Sequence, residues 1–206
     1  MLDTEPLYKT AWQRAAADLG YALDDSFYLR LVGRSIADGE AELVHRFGPS
    51  FPLAEFQGRW PELWRTRVEV DGVPTKPGLP ELLAWVAERQ IPIAVATSSD
   101  RAYTTFSLGH AGLAGRFATV VTGDEVAHGK PAPDIYLEAA RRLGVDPAHA
   151  IAIEDSDAGT LAARRAGMSV LLIPDLKAPS AEATAAACRV LGSLFEARAF
   201  IASLQT

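Results

Sequence analysis

Apolar positions follow two different periods along the chain, and the change near Pro74 divides it in two. From Glu5 to about Gly72 the period is helical: Leu7, Ala11, Ala15 and Leu19 recur at four-residue intervals, with Gly20 as the stop. The same spacing predicts helices over Asp25–Val32, Ile36–Phe47 and Leu53–Val70, and Gly48-Pro49-Ser50 separates the last two. No run in this stretch reads as a buried strand, so it is expected to form a helical bundle. Trp12, Trp60 and Trp64 lie within it. Aromatics at helical spacing belong in a core, where each buries a large apolar area, more readily than on a ligand platform.

Beyond Gly72-Val73-Pro74 and Pro77-Gly78 the pattern alternates. Helices are expected over Leu79–Arg89, Ala102–Ala111, Ile135–Leu143 and Ala158–Ala166. Between them lie short apolar runs at Ile91–Ala96, Ala118–Val121, Ala150–Ile153 and Val170–Ile173. These runs are too short for helices and lack polar alternation, as parallel strands covered on both faces do. Strand–helix alternation of this kind predicts an α/β fold with a doubly wound, Rossmann-like parallel sheet. The Ala-rich stretch Ala181–Ala187 reads as a short surface helix.

Composition narrows the function. An apolar share of 49% and a charged share of 22% are ordinary for a globular protein. The net charge of −6 argues against nucleic acid or an acidic membrane as partner, since both attract basic surfaces. Cys188 is the sole cysteine, which excludes an intrachain disulfide, and its apolar setting predicts a small buried residue rather than a reactive thiol. No apolar stretch approaches the roughly 20 residues of a membrane span. The N-terminus has neither a basic start nor an apolar signal core, so a cytoplasmic location is expected. His45, His110, His128 and His149 are scattered without ligand spacing, and no zinc site is assigned. His128 either lines a crevice or is a solvated loop residue.

In open α/β sheets, ligands bind beyond the carboxyl ends of the strands, and three such ends carry unusual residues. The first is Thr97-Ser98-Ser99-Asp100, where hydroxyls just ahead of a helix suit an anion; the alternative is a Ser or Thr N-cap for that helix. The second is Gly129-Lys130-Pro131-Ala132-Pro133-Asp134, in which a stiff loop lowers the entropy cost of fixing an ammonium. Here Asp134 is expected to cap the next helix, and the alternative for Lys130 is a solvated charge. The third is Glu154-Asp155-Ser156-Asp157-Ala158-Gly159. Adjacent carboxylates at a buried strand end repel one another unless a cation lies between them, and oxygen ligands suit Mg²⁺. The alternative is an acidic helix start capped by Asp155 or Asp157. Together these groups could hold a phosphate beside Mg²⁺.

These motifs, in this order, resemble the haloacid dehalogenase superfamily, specifically its phosphoglycolate phosphatases and β-phosphoglucomutases. Pro77-Gly78 and Val95-Ala96-Thr97-Ser98-Ser99 belong to the match, as do the Lys130 and Glu154–Asp155 segments. The resemblance implies an α/β core formed by residues 1–4 and 74–206, with residues 5–73 as an inserted helical cap. Leu31-Val32-Gly33-Arg34-Ser35 resembles the cap loop that leans over the substrate, making Gly33 and Arg34 candidate substrate-binding residues. Thr97 is then expected to donate its hydroxyl to the phosphoryl group and Ser98 its backbone N–H. Lys130 neutralises phosphate and nucleophile. Glu154 and Asp155 hold Mg²⁺, Asp155 as the direct ligand. The implied activity is hydrolysis of a small phosphorylated metabolite through an aspartyl-phosphate.

One departure matters. The family carries Asp-x-Asp-Gly at the end of a buried strand, followed by an Asp-Ser/Thr-Glu segment. Asp3-Thr4-Glu5 matches the later segment, and the strand with its nucleophile is missing from this chain. The 206-residue form is therefore expected to be inactive, with the strands at Ile91 and Ala150 left with unpaired edges. Either a start assigned too far downstream or a true loss accounts for this. A phosphatase is favoured over a sugar phosphomutase, because Tyr8 and Ile36 replace the mutases' histidine and arginine. A dehalogenase, which needs no metal, does not keep the Glu154–Asp155 pair. A non-catalytic phosphate- or metabolite-binding homologue is the alternative from another class.

Overall fold

The computed structural model of the protein describes residues 1–32 and 36–204. It divides into two compact units, one of Leu2–Pro74 and one of Met1 with Thr75–Thr206.

The first unit contains α1 (Glu5–Asp18), α2 (Asp25–Leu31), α3 (Ile36–Phe47) and α4 (Leu53–Asp71). Pro6 sits in the first turn of α1, where a missing N–H costs nothing. Asp24 starts α2 by accepting from the Phe27 N–H at 2.8 Å. Leu7, Ala11, Trp12 and Ala15 turn inward from α1, and Phe56, Trp60, Trp64 and Val68 from α4. Trp12 meets Phe56 edge-on at 5.2 Å, and Tyr8 stacks on Trp64 at 5.6 Å. All three tryptophans of this unit are core residues. On α3, a side chain at Gly39 would run into the Trp12 ring, so this helix approaches α1 only because it carries none there.

The second unit alternates strands and helices: α5 (Leu79–Glu88), β1 (Ala94–Ala96), α6 (Arg101–His110), β2 (Thr119–Val121), α7 (Asp134–Leu143), β3 (Ile151–Glu154), α8 (Asp157–Arg165), β4 (Ser169–Leu172), α9 (Ala181–Ala186), β5 (Arg189–Val190) and α10 (Leu194–Ser203). The three strand pairings among the described residues are parallel, as expected of an α/β fold. The ladders form two sheets, β1-β2 and β3-β4-β5. Val95 stands opposite Val120, and Ile153 opposite Leu171. Ile135, Ala139, Ala152, Ala163 and Val170 form a core of mostly small side chains, which lets α7 and α8 lie close to the strands.

Three expectations need correction. The first strand begins at Ala94 rather than Ile91: the Ile91 N–H still bonds the Val86 carbonyl of α5, and Pro92 has no N–H to give a ladder. Cys188 is exposed, not buried. Helix α9 ends at Ala186, so Cys188 falls beside the edge strand β5, where its N–H bonds the Val170 carbonyl at 2.8 Å. Asp134 is the first residue of α7 rather than its N-cap; Pro133 occupies the cap position, and Asp134 pairs with His128 at 2.9 Å. His128 itself is a solvated loop residue, 75% exposed.

Candidate active site

Strand β1 delivers Thr97 and Ser98. The Thr97 N–H still bonds the Val121 carbonyl at 3.0 Å, so the chain leaves the ladder only after this residue. The Thr97 hydroxyl accepts from the Ser99 N–H at 3.2 Å and turns the loop toward α6. Asp100, not a hydroxyl residue, caps α6 by accepting from the Tyr103 N–H at 2.7 Å. The capping alternative for the Ser and Thr cluster therefore falls away. Gly123 braces the same loop from the end of β2: its N–H bonds the Ser99 carbonyl at 2.9 Å, and a Cβ there would collide with the Ser98 carbonyl. Ser98 is exposed.

Lys130 comes from the loop ahead of α7. That loop is tied by the Ala132 N–H to the Gly129 carbonyl at 3.0 Å, and by the Arg165 guanidinium of α8 to the Pro131 carbonyl at 2.8 Å. Its ammonium reaches the Ala96 carbonyl at 3.1 Å and Glu154 Oε1 at 2.5 Å. One side chain thus touches the last residue of β1 and the last residue of β3. Its side chain is 9% exposed and that of Glu154 8%, so the solvated-charge alternative for Lys130 fails.

Glu154 is saturated. Oε1 takes Lys130 and the Tyr136 hydroxyl. Oε2 takes the N–H groups of Asp155 and Ser156 and the Ser156 hydroxyl, the last at 3.0 Å. Burial alone would push this carboxyl up, but the Lys130 charge and these hydrogen bonds outweigh it and hold the group below its ordinary range. Ser156 also caps α8, accepting from the Gly159 N–H at 3.1 Å, while Asp157 accepts from the Ser180 N–H. Neither Asp155 nor Asp157 is the cap. Asp155 is exposed beside this buried pair. Protein atoms crowding its carboxyl, and then the Glu154 charge, push it above the usual carboxylate range.

Among the described residues no group of three or more His, Cys, Asp or Glu side chains is arranged to hold a metal. The donor set nevertheless suits a hard cation that keeps most of its water. Asp155, an exposed residue, has a carboxyl whose ionisation is opposed first by the protein atoms around it and then by Glu154, a repulsion a cation would relieve. With both oxygens of Glu154 engaged, Asp155 is the carboxylate open to direct ligation.

The structure thus gathers Thr97, Lys130, Glu154 and Asp155 around the carboxyl ends of β1 and β3. Gly33 and Arg34 lie outside the described residues. Tyr136, Ser156 and Gly123 also belong to the site, and no sequence motif alone marks them out as site residues. Ser156 and Gly159 stand inside the acidic motif, and their spacing, a hydroxyl three residues before a glycine in a helix's first turn, was the available signal.

These features define a parallel α/β protein with its polar chemistry at the strand ends. The model of the haloacid dehalogenase-like hydrolase family matches residues 1–167, and the chain belongs to that family. The chain is 35% identical over 174 residues to the fructose-1-phosphate phosphatase YqaB of Escherichia coli, covering 83% of this chain and 89% of that one. It is 30% identical over 177 residues to the bifunctional riboflavin kinase/FMN phosphatase of Arabidopsis thaliana, matching 85% of this chain but only 46% of that longer protein. Among solved structures, a haloacid dehalogenase family hydrolase of Deinococcus radiodurans R1, with bound phosphate and sodium, superposes with a TM-score of 0.81 at 26% identity. That match covers 98% of this chain and 90% of the other.

Proposed function

We propose that the chain carries the phosphate- and Mg²⁺-binding groups of a phosphomonoesterase that acts on a small phosphorylated metabolite. The observation that carries this reading is the span of Lys130, whose ammonium touches both strand ends at 3.1 Å and 2.5 Å. A cation held there, with Thr97 and Ser98 on one side and Asp155 on the other, suits a phosphoryl group. The relatives' names, a fructose-1-phosphate phosphatase and an FMN phosphatase, support the same substrate class.

Each side chain has a distinct part. Thr97 presents a hydroxyl and Ser98 a backbone N–H toward phosphoryl oxygens. Lys130 offsets their charge, and Glu154 holds Lys130 in place. Asp155 is the direct metal ligand, and Glu154 acts behind it. Mg²⁺, when bound, supplies charge neutralisation at a phosphoryl oxygen. The units Leu2–Pro74 and Thr75–Thr206 correspond in this reading to a helical cap and an α/β core, with Gly33 and Arg34 as candidate substrate-binding residues by resemblance.

None of these groups is the nucleophile that an aspartyl-phosphate route requires, and no Asp-x-Asp-Gly run occurs in the 206 residues. This polypeptide is therefore expected to bind phosphate with Mg²⁺ but to turn over p-nitrophenyl phosphate negligibly. Binding without turnover also describes a non-catalytic phosphate-binding relative, a reading the same missing run favours. Measurable Mg²⁺-dependent release of p-nitrophenol by the purified 206-residue chain would refute the inactivity. Abolition of Mg²⁺-dependent phosphate binding in Asp155→Asn, with the fold retained, is the result expected for the metal assignment.

A further inference from the structure

An ammonium carries three protons, and the structure offers those of Lys130 three acceptors. They are the Ala96 carbonyl at 3.1 Å, Glu154 Oε1 at 2.5 Å and the phenolic oxygen of Tyr136 at 3.3 Å. The Tyr136 hydroxyl in turn donates to the same Glu154 oxygen. The ammonium also stands 4.9 Å from the centre of the Tyr136 ring. Tyr136 is 7% exposed and shares α7 with the core residues Ile135 and Ala139. Hydrophobic packing at this place would be met by phenylalanine; only Glu154 and Lys130 account for a buried hydroxyl.

We propose that Tyr136 is a positioning residue of the candidate site, whose hydroxyl acts through Glu154 and Lys130 to fix the ammonium between the ends of β1 and β3. The proposal rests on reading Lys130 as the cation that faces phosphate. Glu154 Oε2 is anchored by Ser156, so the carboxylate cannot swing away. Its Oε1 is divided between the phenol and the ammonium, so Lys130 cannot collapse onto both carboxylate oxygens. The phenolic oxygen is neutral and the most distant of the three acceptors, which makes it the one a phosphate oxygen replaces. Burial and the Glu154 charge both push the phenol pKa upward, and the hydroxyl keeps its proton at neutral pH.

The test is the hydrogen-exchange rate of the Lys130 ammonium in the whole 206-residue protein. It is followed by NMR with ¹⁵N-labelled lysine and assigned by loss of the signal in Lys130→Met. Tyr136→Phe keeps the ring and its contact with the cation. The exchange is expected to quicken about tenfold or more, the factor for losing one hydrogen bond to a charged group. A purely packing role leaves the rate unchanged, and that result would overturn the proposal. Should Tyr136→Phe not fold, 3-fluorotyrosine placed at position 136 makes the phenolic oxygen a poorer acceptor for the Lys130 ammonium and its O–H a stronger donor to Glu154, without enlarging the ring much. A shift of the Lys130 ammonium resonance alone among the lysines then supports the proposal, and no shift overturns it. Inorganic phosphate with Mg²⁺ supplies the separating measurement on the unaltered protein. If phosphate leaves the Lys130 signal unmoved while Tyr136→Phe quickens its exchange, the phosphate reading fails and the positioning of Lys130 by Tyr136 stands.

Discussion

Gly159 shows how tightly single residues are specified around the carboxylates. A methyl group built on it would fall onto the Glu154 carboxylate, so the first turn of α8 can lie against that side chain only without one. Gly159→Ala is expected to destabilise the protein by about 1–3 kcal/mol, the range for forcing one extra carbon into a filled space; urea unfolding at neutral pH measures it. Glu154 supplies a pH test. Its native pKa lies below the ordinary 4.5 because the Lys130 charge and three side-chain donors outweigh burial. A depressed carboxylate stabilises the fold fully above its unfolded pKa, and that contribution disappears as pH falls through the native value. The stability gap between the wild type and Glu154→Gln should therefore be constant above about pH 4.5 and narrow only below it. A gap that narrows between pH 8 and 6 would assign the pH dependence to another group.

Some helices in both units begin at a small polar cap, whereas α1, α4, α5 and α7 start without a side-chain cap bond and were legible from their apolar spacing. Asp24, Asp100 and Ser156 each accept a backbone N–H at a helix start. Ser156 does two things at once, capping α8 and bonding Glu154 Oε2 at 3.0 Å. Ser156→Ala should cost about 1–2 kcal/mol, the upper part of the capping range, where Asp100→Ala, with the cap alone at stake, should cost about 1 kcal/mol. Paired chemical-denaturation curves would separate them. What the sequence concealed has equally local causes. Arg189–Val190 is too short to show a period, and α10 carries Leu194, Phe195, Phe200 and Ile201 without a clear apolar stripe. Lys130 and the acidic pair stood out because a rigid loop and adjacent carboxylates need a physical reason. Tyr136 did not, because its partner Glu154 lies 18 residues away and a tyrosine in a core helix needs none.

At the scale of the whole molecule, the named relatives, a fructose-1-phosphate phosphatase and an FMN phosphatase, act on small phosphorylated compounds, the class proposed for this chain. The net charge of −6 argues against nucleic acid as a partner, and no described helix is long and apolar enough to cross a membrane. Lys130 sits among acceptors at the strand ends, in surroundings where a fixed charge counts for more than in water. In the proposed function Thr97, Lys130 and Asp155 serve one ligand. Titration of the ¹⁵N-labelled protein with inorganic phosphate, with and without Mg²⁺, tests it most directly. The predicted result is that the Thr97 and Ser98 amides and the Lys130 ammonium shift together along one binding curve, with Mg²⁺ tightening it in the wild type but not in Asp155→Asn. Saturating phosphate and Mg²⁺ that leave these three signals in place, or move them along unrelated curves, would contradict it.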